Sequence, residues 1–325
     1  MSDLLVFCEQ REGVVSTGSL GLLHEAARVA LELGVGCDAV VCGSSLDTAA
    51  LATLGGHGAR TVFVADDPAL AAALAQPLVD AVAAVVGAKG HGIVLCAGSV
   101  VAADVAAGLA VRLSTGVIVD AVELHASGGR LVTRRPGLGD SVYSHCALVG
   151  DRGTIIARAG SFAAQESTGA SAAVESIPVV VAGWSQTAKI VGHEAVEQGS
   201  VDITKADILV SGGRGLGSAE NFALCEKLAK ALGGEVSATR AVVDVGWYPH
   251  SAQVGQTGKT VTPKLYFAVG ISGAIQHKVG MSGAETIVAI NKDANAPIFD
   301  IADLAVVGDL NEIIPKLTEL VRARA

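Results

Sequence analysis

The sequence predicts an α/β protein of two domains, each a largely parallel sheet flanked by helices. Three observations lead there. Short apolar runs alternate with helical periods through residue 113 and again beyond about 207, the pattern of parallel strands joined by crossover helices. Between about 183 and 206 the periodicity lapses into a more polar stretch, which marks a boundary; we set the domains at 1–195 and 196–325. Half of the 325 residues are hydrophobic but only 3% aromatic, so the core must come from Val, Ile, Leu and Ala.

In order, LLVFC (4–8) reads as a buried strand and 17–33 as a helix stopped by Gly34. Then follow a strand at 35–42, a helix near 47–54, a strand at 60–65, a long Ala-rich helix at 68–86, a strand at 92–97 and a helix near 101–113. VIVDAVEL, RLVTRR, SVYSHCALV and GTIIAR come next without helices between them, and are expected to finish the first sheet as antiparallel strands. Past the boundary, ADILVSGG is a strand, 218–232 a helix closed by Gly233, and 235–239 a strand. KLYFAVG is another strand, a helix starts at 272, TIVAIN and LAVVGD are strands, and 309–323 is the last helix.

Composition excludes several classes. So much apolar surface is incompatible with disorder. Six scattered cysteines without a CxxC pair or a His at ligand spacing argue against disulfide scaffolding and metal binding; they read as buried small hydrophobes of a reducing cytoplasm. A net charge of −9 argues against a nucleic-acid groove. Charged or polar residues interrupt both Ala-rich stretches, so no membrane insertion is expected, and the first ten residues do not read as a signal or transit segment.

Chemistry concentrates in four clusters of the second domain. SGGRGLGSAE (211–220) runs from strand to helix and offers backbone N–H groups to a phosphate, with Arg214 as a cation beside them. It fails the strict dinucleotide fingerprint, because the third glycine would fall at Ser218; a plain tight turn accounts for it equally well. GISGAIQH (270–277) repeats the arrangement, with Ser272 and Gly273 at the expected helix start and Gln276 and His277 one turn on. Residues 237–263 place Thr239 and Arg240 at a strand's C-terminal end, where open α/β sheets hold ligands, and continue as a Gly/Gln/Thr-rich binding loop. Asp244 there reads as a turn cap. Asn291 and Asp309 each follow a strand at the same sheet edge, and suit either adenosine contacts or turn and N-cap roles. No GxSxG or HExxH is present, and His145 and Cys146, as strand neighbours, face opposite ways. The residues describe a phosphate-rich ligand with a ring system.

LYFAVGISGAIQHKVGMSGAETIVAIN (265–291) resembles the signature of the electron transfer flavoprotein alpha subunit. SGGRGLGSAENF, the run from Arg240 to Asp244, VGQTGKTV (254–261) and NKDANAPIFDIADLAVVGDL resemble the family's flanking blocks in the same order. Residues 1–200 resemble it in layout only, and RRPGLGDSVYSHC (134–146) departs from the family's Gly-Asn-Ala pattern. The resemblance implies a Rossmann-like second domain binding FAD. Arg214 would lie near the flavin or its phosphates, Thr239 near the pyrophosphate and Arg240 against the isoalloxazine. Gly255, Gln256 and Thr257 would line the flavin, with the Thr257 hydroxyl near N5. Ser272, Gly273 and Ala274 would hold the pyrophosphate, and Gln276 and His277 would approach the ring, His277 near O2. Asn291, Asp309 and Leu310 would contact the adenosine half. His277 as a donor would then stabilise the charge that one-electron reduction puts on the flavin's N1/C2=O edge.

The resemblance further implies an electron carrier with no substrate-converting site of its own. Its partner would be a beta subunit holding AMP, its donors acyl-CoA or related dehydrogenases of fatty acid beta-oxidation, and its acceptor a membrane quinone oxidoreductase. The first domain would be the platform for the beta subunit. Residues alone leave two other readings: a pyridine-nucleotide-dependent dehydrogenase subunit and a nucleotide-binding structural protein. The cofactor that copurifies separates all three.

Overall fold

The computed structural model describes residues 2–72, 74–138, 140, 142–165, 168–191 and 202–323. They group into two compact units, Met1–His193 and Glu194–Ala325. The boundary set at 195/196 falls within 192–201, outside the described residues.

The first unit runs β1 (Leu4–Phe7), β2 (Gln10–Arg11), β3 (Val14–Val15), α1 (Thr17–Leu33), β4 (Cys37–Gly43), α2 (Thr48–Ala52), β5 (Thr61–Asp66), α3 (Ala75–Lys89), β6 (Ile93–Ala97) and α4 (Val100–Leu113). It continues with β7 (Gly116–Ala121), β8 (Glu123–Ser127), β9 (Arg130–Gly137), β10 (Val142–Cys146), β11 (Gly153–Ala157) and β12 (Ala173–Ser176). Seven strands form one parallel sheet in the order β12-β5-β4-β1-β6-β11-β7. Its central strand β1 is buried on both faces. Leu4 and Val6 pack under α1, and Leu5 and Phe7 under α3 and α4. α1 begins where Ser16 Oγ accepts the Ser19 N–H and ends where Gly34 takes φ 68°.

Three expectations are corrected. The strands after residue 113 do not finish the sheet as antiparallel neighbours: β7 and β11 join it in parallel, and β8–β10 form a separate antiparallel sheet. Parallel strands need a long connection but not a helical one, and the β8–β10 meander is the connection between β7 and β11. The long helix expected at 68–86 is a 3₁₀ turn, Pro68–Leu70, followed by α3 from Ala75. Of the cysteines, Cys146 is only partly buried, on the edge strand β10. Cys8, Cys42 and Cys96 are enclosed, and burial pushes their thiols up to about 12.

The second unit comprises β13 (Ile208–Gly212), α5 (Phe222–Leu232), β14 (Glu235–Thr239), α6 (Arg240–Val243), β15 (Gln253–Val254), β16 (Leu265–Val269), α7 (Ile275–Lys278), β17 (Ile287–Asn291), β18 (Leu304–Val307) and α8 (Leu310–Arg322). All six strands are parallel, in the order β15-β14-β13-β16-β17-β18. The chain builds outward from β13 to β15, then returns to the other side of β13 for β16. The order therefore reverses between β13 and β16, the place where open α/β sheets hold their ligands. Two helices start later than expected: α5 at Phe222 rather than 218, and α7 at Ile275 rather than 272, as a single turn. Among the described residues no helix is long and apolar enough to cross a membrane, and no cluster of His, Cys, Asp or Glu is placed to hold a metal.

Since β1 is enclosed by helices on both faces, Leu5→Ala should leave a cavity and cost about 2–5 kcal/mol, read as a fall in the urea midpoint.

Candidate functional site

At the reversal of strand order lies a cavity of about 700 Å³. The turns after β13 and β16 form its floor and meet backbone to backbone. The Gly215 N–H donates to the Gly270 carbonyl at 2.9 Å, and a Cβ on Gly215 would sit 2.6 Å from that oxygen. Here the Gly-rich composition is a steric requirement. Gly213, Arg214 and Gly215 line one side; Gly270, Ile271, Ser272 and Ala274 line the other.

A second wall is the segment Val254–Thr257, which leaves β15 with Gly255 at φ 140°. Its Gln256 N–H donates to the Gln276 carbonyl at 2.7 Å, tying the segment to α7. The Thr257 hydroxyl accepts from Gln253 Nε2 at 3.1 Å, which leaves its own hydrogen free to donate. Thr239 and Arg240, at the end of β14, close the cavity with Ala241 and Asp244. Asp244, read from sequence as a turn cap, instead takes the Arg240 Nε at 3.2 Å, with both side chains exposed. Arg214 is exposed and has no side-chain partner among the described residues.

The cavity thus gathers Arg214, Thr239, Arg240, Gly255, Gln256, Thr257, Ser272, Ala274, Gln276, His277 and Asn291. Three expected residues stand outside its lining. Gly273 is buried against Ile298, whose nitrogen a Cβ would meet at 2.2 Å. Asp309 caps α8 by accepting the Asn311 N–H at 2.8 Å, and Leu310 packs in the core beside α5. Asn291 spends its carboxamide on the fold, donating to the Ile271 carbonyl at 2.9 Å and accepting the Asp293 N–H at 3.0 Å. Sequence reasoning missed Asp293, Ala296 and Pro297 as lining residues. The only signal was the turn composition of KDANAP, which does not say which way a turn faces.

Several donors in the site are unspent. The N–H groups of Ser272, Gly273 and Ala274 donate to no protein acceptor among the described residues. Thr239 Oγ1, which lines the cavity, is buried without a partner. A buried hydroxyl left unpaired is costly, and invites a ligand atom.

His277 differs from expectation. Its Nδ1 lies 3.1 Å from the Val254 carbonyl and its Nε2 3.0 Å from the Tyr266 hydroxyl. A carbonyl only accepts, so Nδ1 carries the hydrogen and Nε2 accepts from the phenol. Both nitrogens are engaged inside the protein, so the ring has no spare N–H for the O2 edge of a flavin. Burial pushes its pKa down to about 4, against a smaller upward pull from the Val254 hydrogen bond, and the imidazole is neutral at pH 7.

Comparison with known proteins covers nearly the whole chain. Residues 4–182 match the family described as electron transfer flavoprotein domain, and 202–282 the family described as electron transfer flavoprotein FAD-binding domain. The chain is 41% identical to the electron transfer flavoprotein subunit alpha of Mycobacterium leprae, over 100% of this chain and 99% of that one. It is 42% identical to the protein of the same name from Mycobacterium tuberculosis H37Rv, over the same shares. To Protein FixB of Clostridium saccharobutylicum it is 38% identical, over 96% of this chain and 94% of the other.

The state of His277 has a measurable consequence. Its folded pKa of about 4 lies below the ordinary 6.5, so between these values the unfolded chain binds a proton that the folded one does not. Its contribution is intact above pH 6.5 and is lost as pH falls through 4, about 3 kcal/mol in all. Urea titrations should show this slope in the parent protein and a much weaker one in His277→Gln.

Proposed function

The chain belongs to the electron transfer flavoprotein alpha-subunit family, and from that premise we propose that its second unit binds one FAD and serves as a carrier of single electrons. The observation that carries this reading is the cavity at the strand-order reversal, where free backbone amides, a buried unpaired hydroxyl and two arginines converge on one space. These groups fit a dinucleotide. The amides of Ser272–Ala274, the Thr239 hydroxyl and Arg214 suit its phosphates, since charge-assisted bonds to such donors are strong. The remaining wall, Gly255–Thr257 with Gln276 and Arg240, suits a flat ring with polar edges.

Bound FAD would supply the isoalloxazine that takes up and releases single electrons; the chain's part is to bind it, orient it and set its electrostatics. Arg214 and Arg240 would balance negative charge placed in the cavity. The Thr257 hydroxyl, its oxygen already satisfied by Gln253, has one hydrogen for a ring acceptor. His277, neutral and internally bonded, contributes through the wall it holds.

In the fuller reading, the chain pairs with a beta subunit carrying AMP, and the first unit is the platform for that partner. Electrons come from acyl-CoA or related dehydrogenases and pass to a membrane quinone oxidoreductase. The names of the full-length relatives support an alpha subunit that needs a counterpart. Free, buried cysteines such as Cys8, Cys42 and Cys96 suit a reducing compartment such as the cytoplasm. The first experiment is coexpression with the candidate beta subunit and an absorbance spectrum of the product. Flavin bands near one equivalent per heterodimer support the reading. A folded, colourless complex that refuses added FAD overturns it, and a nicotinamide nucleotide in its place points to a dehydrogenase.

Thr239→Val tests the fit more closely. Removing a hydroxyl without a protein partner should leave the FAD-free protein as stable as before or slightly more so. FAD release, followed by flavin fluorescence during dialysis, should speed up by roughly tenfold.

A further inference from the structure

Tyr266 is fully buried on β16, does not line the cavity, and takes no part in the proposed cofactor contacts. Burial raises its phenol well above the ordinary range, so it stays protonated and can donate. Its hydroxyl meets His277 Nε2 at 3.0 Å, and the other ring nitrogen meets the Val254 carbonyl at 3.1 Å. Strand register puts Leu209 opposite Tyr266 and Ser211 opposite Ser237, so Ser211 and Ser237 share the face that carries Tyr266. Their hydroxyls act on the phenol as polar neighbours without reaching full hydrogen-bond geometry, and neither has another partner. A polar column thus crosses an otherwise apolar layer, from the two serines through Tyr266 and His277 to Val254. There it ends at the first residue of the Val254–Thr257 wall.

We propose that Tyr266 is a positioning residue for the cavity: by donating to Nε2 it keeps His277 in the Nδ1–H form, whose single hydrogen pins the Val254 carbonyl and with it the wall formed by Gly255, Gln256 and Thr257. Two alternatives are less well satisfied. Turning the ring over would set carbon atoms against both the phenol and the carbonyl, leaving two buried polar groups unpaired. Moving the hydrogen to Nε2 would aim the Nδ1 lone pair at the carbonyl oxygen. His277 therefore serves the site through the backbone. The part of this inference that concerns FAD rests on the proposed function; the ring's hydrogen-bonded state does not.

The test is long-range proton–nitrogen NMR on the full chain with ¹⁵N-labelled histidine, using His277→Gln to assign the signal, with and without FAD. The expected spectrum at neutral pH has Nδ1 protonated and Nε2 unprotonated but hydrogen-bonded, in both states. In Tyr266→Phe, which removes the donor to Nε2, that nitrogen should leave the bonded-acceptor position and part of the population should carry its hydrogen there instead of on Nδ1, so the Val254 carbonyl is held less firmly and FAD release should speed up by roughly tenfold. An Nε2–H form or a charged ring in the parent protein overturns the proposal, as does a Tyr266→Phe spectrum with an unshifted Nε2 or a folded variant that holds FAD as well as the parent. If Tyr266→Phe does not fold, the parent spectrum still decides the tautomer. If the chain coexpressed with the candidate beta subunit retains no FAD but the parent spectrum shows the expected tautomer, the cofactor reading fails alone and the positioning of His277 stands.

Discussion

The second unit depends on one backbone contact, the hydrogen bond from Gly215 to Gly270 across the reversal of strand order. It draws the turn after β13 onto the turn after β16, so that two loops which topology sends apart instead form a continuous floor. Only residues without a Cβ allow this approach, because an added carbon on Gly215 or Gly213 would fall 2.5–2.6 Å from the Gly270 oxygen. The same geometry explains the incomplete fingerprint. A third glycine serves close packing of a helix that starts directly after the turn, but α5 starts at Phe222, four residues past Ser218, and makes no such demand there.

On that floor the polar groups fall into two kinds. Arg214, the Ser272 and Ala274 amides and Thr239 Oγ1 are unspent toward the protein, whereas Asn291 and His277 are spent on it. An unspent donor lining a cavity is available to a ligand at no cost to the fold. A spent one acts by holding a loop, a cap or a wall in place. Arg240 lies between the two, its exposed pairing with Asp244 being weak enough to yield to an anion.

The first unit is built on the same parallel-sheet plan. Its main buried charge, Asp38, lies where β4 enters the sheet, bonded to Arg60, His91 and the Thr61 N–H. Burial opposes ionisation, but the hydrogen bonds from His91 and Arg60 outweigh it and hold the carboxyl below its ordinary range. A fully bonded buried carboxylate fixes strand position rather than waiting for a ligand.

Sequence alone was enough for the alternation of strand and helix, the apolar cores on both faces, and most of the residues that meet at the cavity. These follow from local periodicity, from turn chemistry, and from the rule that open α/β sheets gather ligands at strand C-termini. It was not enough for the order of strands after residue 113, because a meander and a helix can both return the chain to a parallel neighbour. Nor could it tell Asn291 and Asp309 as ligand contacts from Asn291 and Asp309 as loop and helix caps. Whether a side chain is spent depends on partners far along the chain: Ile271 for Asn291, Val254 and Tyr266 for His277. The sequence determined which residues would crowd the edge of the second sheet. Only tertiary structure decided which donors remained free, because hydrogen-bond partners are assigned by strand register and loop packing across the fold.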